Sequence, residues 1–590
     1  MRVHRGKAVL AGVAALALAL TACSSSKSGS SKKTKGGSAS SSASTSGGSG
    51  TKGSGAFKDC GASPNTCNSG QTKPGGTVTY TIEKTISGWN INTAASNTFD
   101  YAEALDGVLP NVFIATPDLK PSLNKNLMIS AEQTKASPQT LVYKVKPNAV
   151  WSDGSPIGLD DFVYAWYSQN AKLCPNCGSA TTAGYDQIAS ITGADNGKTV
   201  TVVMSKPYAD WRYMFGPFYP GHIAAQHGFD KTPKGTAASM KWFDLNRPAF
   251  SAGPYLVTGY VKDTSITETP NPKWYGSPKP ALDKLIFRII QEQTQEVPAL
   301  QNNEVQAIYP QPNADLVQRA NSIQGVQTWL GKGLQWEHLD LNTKNPFLSD
   351  KALRTAIFTA ISRDDIIKRT VGQFVPGISP LNNHMLLPGI AGYTDNVTAS
   401  GQGSGNIAKA KSILTGAGYT GVGSNLKTKD GRTVTFRCTY SAGNQLRQQT
   451  CQIIQNQLKK LGLNLQLKTT PDLSILDKHD FDMVIFAWVN SPFVTQGAFQ
   501  SFYSKSASNY TQNVDLKSDA LIDQAGSETD QTKVPNLLNQ ADVLINADAV
   551  SLPLFQKPTF MAARSNVANI RDDPTSTGPP YNVEAWGLKG

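Results

Sequence analysis

At 590 residues the chain is too long for one hydrophobic core and should divide into two or more domains. Its 39% apolar content and 10 Trp are those of a folded globular protein. Lys and Arg (55) outnumber Asp and Glu (43) for a net charge of +12, but they are scattered singly, which argues against a nucleic-acid surface. The densest basic run, Lys32-Lys33-Thr34-Lys35, lies in a stretch with nothing apolar to bury.

The N-terminus reads as a signal peptide. Arg2, Arg5 and Lys7 precede an apolar run from Ala8 to Leu20 that is too short to span a bilayer. Residues 24–55 are almost entirely Ser, Gly, Lys, Thr and Ala, a composition that stays disordered and acts as a tether with a reach of roughly 30 Å.

Beyond the tether the chain alternates between strands and helices. Thr77 to Ile82 reads as a strand, with Gly88-Trp89-Asn90 as the loop at its end. Leu141 to Trp151 reads as a strand and turn, and Leu159 to Trp166 as a helix with an acidic start. Ile188 to Met204 reads as a hairpin turning at Asn196-Gly197. The stretch from Gly193 to Thr199 falls one residue short of a phosphate-binding loop and leads into a strand, so the hairpin reading prevails.

Asp350 is placed to cap a helix whose apolar face is Leu353, Ala356, Ile357, Ala360 and Ile361. Thr433 to Tyr440 reads as a strand, Gln445 to Leu461 as a helix stopped by Gly462, and Leu463, Leu465 and Leu467 as the next strand, which together form a βαβ unit. Met483 to Trp488 is a short apolar strand of the same largely parallel sheet, with helices expected on both faces. Its carboxyl end, where Trp488, Asn490 and Ser491 emerge, is where ligands sit in open α/β sheets.

Several segments carry a family resemblance. Leu20-Thr21-Ala22-Cys23 resembles the lipobox of bacterial lipoproteins, in which the Cys sulfur takes a diacylglycerol and becomes the mature N-terminus. With Cys23 set aside, six cysteines remain. Nearness in sequence pairs Cys60 with Cys67, Cys174 with Cys177 and Cys438 with Cys451, out of 15 possible connectivities. Cys174-Pro175-Asn176-Cys177 also has the spacing of a redox or half-zinc motif, although no second CxxC accompanies it. Trp151-Ser152-Asp153-Gly154-Ser155-Pro156 with Asp160-Asp161-Phe162-Val163-Tyr164 resembles a segment of the family 5 solute-binding proteins, the oligopeptide and dipeptide receptors of ABC importers. Gly253-Pro254-Tyr255, Asn271-Pro272-Lys273-Trp274-Tyr275 and Leu282-Asp283-Lys284 follow in that family's order. So do Leu341-Asn342-Thr343-Lys344-Asn345-Pro346-Phe347, Arg354 and Ala360-Ile361-Ser362-Arg363, and the resemblance spans about residues 74–590.

The resemblance implies an actinobacterial lipoprotein with a two-lobed α/β clam of mixed sheets, in which the chain crosses twice between lobes. Residues 1–22 would be the signal peptide and 23–73 the lipidated Cys and tether. Lobe one would be 74–334 plus 553–590, with a subdomain inserted at about 97–204, and lobe two would be 335–552. The crossovers then fall near Gln335-Trp336-Glu337-His338 and Leu552-Pro553-Leu554-Phe555. The resemblance further implies a receptor on the outer face of the cytoplasmic membrane that partners an importer permease, as a monomer and without cofactor or metal. No enzyme is expected, since HExxH and a complete GxSxG are absent.

In peptide receptors of this family a strand like Met483 to Trp488 ends in W-x-A-D-Y, whose Asp pairs with the peptide ammonium. Here Trp488-Val489-Asn490-Ser491 carries no acid, which points to stacking and neutral hydrogen bonds for a sugar, a glycolipid head group, or a peptide held by other groups. Some mycobacterial lipoproteins of this broad family bind phosphatidylinositol mannoside, so a regulatory or cell-wall role without transport is the alternative. Strand ends and crossovers nominate Trp488, Asn490 and Ser491, faced by Trp89 and Asn90, with Trp336, His338 and Phe555 on the hinge side and Tyr185 and Tyr510 nearby.

Overall fold

The computed structural model describes Phe57 and residues 59–590 apart from Ser491. The signal peptide, Cys23 and the Ser/Gly/Lys stretch lie outside the described residues. In chain order the elements that build the site begin with strand β1 (Thr77–Ile82) and helix α1 (Phe99–Leu105). A four-stranded antiparallel sheet follows, made of β2 (Met128–Ala136), β3 (Gln139–Val145), β4 (Ile188–Ala194) and β5 (Thr199–Met204). Its β4–β5 hairpin closes beyond the Ala194–Thr199 pair through a turn in which Asp195, Asn196 and Gly197 all take positive φ, a conformation that Asp, Asn and Gly accept most readily. Strands β6 (Tyr255–Val261), β7 (Ser265–Pro270), β8 (Lys284–Ile289) and β9 (Ala307–Ile308) complete the first half.

The second half is entered along a long strand, β10 (Val326–Leu341). It contains helix α2 (Lys351–Ala360), strand β11 (Thr435–Ser441), helix α3 (Gln445–Lys459), strands β12 (Asn464–Thr470) and β13 (Met483–Val489), and helix α4 (Val494–Phe502). A second long strand, β14 (Ser551–Arg564), returns the chain. The Asp350 carboxylate accepts from the Ala352 N–H and caps α2, as expected. Asn444 caps α3 by accepting from the Arg447 N–H. After α3 the chain turns at Gly462, at φ +83°, where a Cβ would lie 2.8 Å from the Ser424 nitrogen, so only glycine fits.

One ten-stranded sheet runs through both halves in the order β12-β11-β13-β10-β14-β9-β1-β8-β7-β6. Strands β11 and β12 are parallel and joined by α3, the expected βαβ unit. The sheet is nonetheless mixed rather than largely parallel, because β13 pairs antiparallel with β10 along its whole length. On its other edge β13 meets β11 only at Cys438–Met483 and Thr439–Val484. From Ile485 onward that edge has no strand partner among the described residues.

β10 and β14 lie side by side, antiparallel, from Val326–Arg564 to Asp340–Ser551. Their register shifts between the Lys332–Pro558 and Trp336–Gln556 pairs, so Gly333, Leu334 and Gln335 lie opposite the single residue Lys557. Each half buries its own apolar cluster: one around Tyr80, Tyr143, Phe215 and Trp586, the other around Leu339, Phe358, Ile454 and Ile485. Three disulfides join the pairs nominated from nearness in sequence, Cys60–Cys67, Cys174–Cys177 and Cys438–Cys451, the last tying β11 to α3.

The folded chain begins earlier than expected, a correction to the tether drawn to residue 73. Phe57, Cys60 and Cys67 are buried in the first half's core. The Asn68 amide donates to the Ile570 carbonyl at 2.7 Å, and Thr72–Lys73 pairs with Leu588 and Lys589. The disulfide and Phe57 supply the burial that the Ser/Gly-rich stretch before them lacks.

Candidate functional site

A cavity of about 160 Å³ opens between the two halves. The first half contributes Glu83 and Lys84, which follow β1, and Asp100 and Glu103 of α1. The second contributes Arg447 of α3, Trp488 at the end of β13 where the strand has lost its partner on one edge, Asn490 just beyond it, and Tyr510. Gln335 of β10 and Lys557 of β14, at the register shift, line it from the two crossing strands. The position of β13 answers why an apolar strand should end here: β11 leaves it after Val484, so the last residues of β13 face the cavity instead of another strand.

The cavity wall is densely charged, and most of those charges are matched. Lys84 pairs with Asp100, which also accepts the Glu83 N–H at 2.7 Å and the Lys84 N–H at 3.1 Å. Burial pushes the Asp100 carboxyl up, but Lys84 and these donors outweigh it and hold it below the usual carboxylate range. Glu103 accepts from the Tyr80 hydroxyl at 2.6 Å, and burial raises its carboxyl well above the ordinary value. Glu83 accepts from the Gln311 backbone and side-chain amides at 2.8 and 3.0 Å and from Gln293 at 2.8 Å.

Arg447 donates to both Glu337 oxygens, at 2.5 and 3.3 Å, and to the Ser441 hydroxyl at 3.1 Å. Burial raises the Glu337 carboxyl, but Arg447 and then Lys557 overcome it and leave it below its usual value. Lys557 is 5% exposed, and burial lowers its ammonium to about 8 against the opposing pull of Glu337.

Trp488, Asn490 and Tyr510 stand on the cavity wall, and Ser491 lies outside the described residues. The Trp488 ring runs parallel to that of Tyr510 at 5.6 Å and to that of His338 at 6.2 Å, so the protein already uses part of its stacking capacity.

The other nominated residues are packed elsewhere, which corrects their assignment. Trp89 is buried edge-on to Tyr260, and Asn90 donates from its side chain to the Met240 carbonyl at 3.3 Å, both within the first half's core. The Tyr185 oxygen accepts the Phe215 N–H at 2.8 Å in that same core. Phe555 is fully buried in the core of the second half. The Trp336 ring lies 4.5 Å from that of His338, whose Nδ1 is 2.9 Å from Asp340 Oδ1.

Trp336 and His338 share a sheet face with their register partners Trp488 and Phe486, which line the cavity, but are themselves buried against each other and against the rings of His384 and Phe486. Gln335 reaches the cavity in place of Trp336, and Glu337 meets Arg447 beside it in place of His338. Sequence reasoning also missed Lys557, whose signal was a single lysine inside the apolar strand Ser551–Arg564.

The sequence model of the bacterial extracellular solute-binding proteins, family 5 Middle, matches residues 123–510. Oligopeptide-binding protein OppA of Mycobacterium tuberculosis is 30% identical over 511 residues, spanning 84% of this chain and 82% of that protein. This chain belongs to the family 5 solute-binding proteins. Among solved structures, the periplasmic EDTA-binding protein EppA superposes with a TM-score of 0.80 at 35% identity, over 89% of this family 5 chain and 99% of EppA. Oligopeptide-binding protein AppA of Bacillus subtilis, in complex with a nonapeptide, shares the fold with a TM-score of 0.77 at 20% identity, over 88% and 100% of the two chains.

The fold of this family 5 protein is therefore the two-lobed clam, and the protein belongs with substrate-binding receptors. Among the described residues no helix is long and apolar enough to cross a membrane, and no cluster of three or more His, Cys, Asp or Glu is placed to hold a metal ion.

Proposed function

We propose that this protein is the lipid-anchored receptor of an ABC importer, held through Cys23 on the outer face of the cytoplasmic membrane, and that it captures a peptide-like or other polar solute between two closing lobes. The observation that carries the reading is the cavity itself, which takes its wall from both halves and from both crossing strands. Residues 335–552 form the second lobe and the remainder of the folded chain the first. Relative movement of the two is concentrated at the β10–β14 register shift.

The unpartnered edge of β13 supports a peptide-like solute, because an extended backbone can hydrogen-bond to a strand edge without regard to its side chains. The named ligands of OppA, AppA and EppA, two of them peptides and one a polycarboxylate chelator, fall within the same solute classes.

Native mass spectrometry of the purified protein identifies any co-purified solute. Small-angle scattering with and without that solute then reads closure as a smaller radius of gyration. A bound sugar or glycolipid head group would favour the envelope role without transport, and no compaction at saturation would refute the closing-lobe reading.

A further inference from the structure

We propose that the ammonium of Lys557, at the register shift between the two crossing strands, is the docking point for a carboxylate of the captured solute, assisted by the side-chain amides of Gln335 and Asn490. The inference rests on the receptor reading and narrows its substrate class to solutes that carry a carboxylate. Six ionisable side chains of Glu, Asp, Lys and Arg line the cavity: Glu83, Lys84, Asp100, Glu103, Arg447 and Lys557. Five have partners within the protein: Glu83 in the Gln311 and Gln293 amides, Lys84 and Asp100 in each other, Glu103 in Tyr80 and Arg447 in Glu337. Lys557 alone has no hydrogen-bond or ion-pair partner among the described residues, although its side chain is almost entirely buried.

Burying an ammonium that makes no hydrogen bond is unfavourable even with an acid nearby. The nearby carboxylate of Glu337 is already held by two hydrogen bonds from Arg447. The sheet also gathers suitable neighbours. Lys557 lies opposite Gly333–Gln335, and the Asn490 N–H donates to the Leu334 carbonyl at 2.8 Å, so three adjacent chain segments meet at one place. The side-chain amides of Gln335 and Asn490 line the cavity and make no hydrogen bond to the described residues.

One ammonium and two amide donors match the two oxygens and single charge of a carboxylate. A phosphate would bring close to two charges to an ammonium whose charged neighbours, Glu337, Arg447, Glu83 and Lys84, already balance one another, which disfavours it against a single-charged carboxylate. A neutral ligand would leave the ammonium as unmatched as it is now.

The test uses the purified full chain at pH 7 with three probes: a pool of tri- to pentapeptides with free C-termini, the same pool C-terminally amidated, and EDTA. Calorimetry should give wild-type binding of the free-acid pool roughly tenfold or more tighter than the amidated pool, the loss expected on removing one charged hydrogen-bond partner. Lys557→Met and Lys557→Gln should both lose that preference, and both should melt without ligand at or above the wild-type temperature, because an unmatched buried charge has gone.

A preference that persists in both variants, or equal wild-type affinity for the two pools, overturns the carboxylate site while leaving the receptor reading intact. Variants that melt lower and keep the preference mark Lys557 as structural, and the carboxylate site falls in that case too. If EDTA binds through Lys557 and neither pool binds, the carboxylate site stands and the peptide-like reading falls. Failure of all three probes on the wild-type protein overturns the carboxylate site and leaves the receptor reading to native mass spectrometry.

Discussion

Replacing Arg447 with Met tests whether the Glu337–Arg447 pair is the electrostatic anchor of the second lobe beside the cavity. The two side chains are 3% exposed at Arg447 and 1% at Glu337, joined by hydrogen bonds of 2.5 and 3.3 Å. Arg447→Met leaves a buried carboxylate without its main partner, a change that removes about 3–5 kcal/mol of stability. A lobe of roughly 220 residues unfolds with an entropy of about 0.46 kcal/mol/K, so its melting temperature should fall by about 7–11 °C. Lys557, which also draws Glu337 down, places the result toward the smaller end.

The pH dependence follows from the direction of the Glu337 shift. Its carboxyl is held below the usual value in the folded protein, so its stabilising contribution is present above the unfolded value and is lost as pH falls through the folded one. In Arg447→Met, burial without the guanidinium favours the protonated acid, and the deficit against wild type should shrink between pH 7.5 and pH 5. Calorimetric melts of both proteins at the two pH values make the measurement. A deficit under about 1 kcal/mol at pH 7.5, the range of an exposed pair, or an equal deficit at both pH values would refute the reasoning.

Asp210 of the first half accepts from the Thr495 and Gln496 N–H groups at 2.9 and 3.2 Å, and from the Thr495 hydroxyl, at the start of α4 in the second half. Asp210→Ala should release this contact and enlarge the ligand-free radius of gyration in small-angle scattering; an unchanged radius would show that other contacts hold the halves. Cys23→Ser should free the protein from membranes or leave it unprocessed, and unchanged detergent partitioning would rule out the anchor. Affinity for an N-acetylated peptide with a free carboxylate should weaken above pH 8, by up to about tenfold per unit, as Lys557 loses its proton among Glu337, Arg447, Glu83 and Lys84. Its lowered folded value means that the unfolded chain binds the extra proton between about pH 8 and 10.5, so ligand-free stability from this group should rise over the same range. Affinity that stays flat would detach Lys557 from binding.

Local patterns carried most of the fold. The βαβ unit of β11, α3 and β12 and the Asn196-Gly197 hairpin are set by residues near one another in sequence, so periodicity and turn chemistry expose them. The crossing strands were legible only through family resemblance, because a 16-residue strand shared by two halves has no single periodicity. The cavity was legible where one strand end dictates it, at Trp488 and Asn490. It was illegible where residues hundreds of positions apart converge, as Lys84, Arg447 and Lys557 do. Trp89 and Tyr185 show the opposite error: strand ends and crossovers nominated them as ligand contacts, but their apolar area takes them into the core.

The position of β14 in the sheet also fixes an order of events during synthesis. It is the last of the ten strands in sequence, yet it lies in the interior of the sheet, between β10 and β9. The first lobe therefore cannot complete its sheet when its own strands emerge. It must wait for about 210 more residues, from Leu341 to Ser551, whose ends return to adjacent places at the Asp340–Ser551 pair. A nascent chain cut anywhere before residue 551 leaves the β9 edge open. This delay suits a polypeptide that is threaded through a membrane before it folds, because the long-range pairing that closes the sheet forms only once nearly the whole chain has crossed.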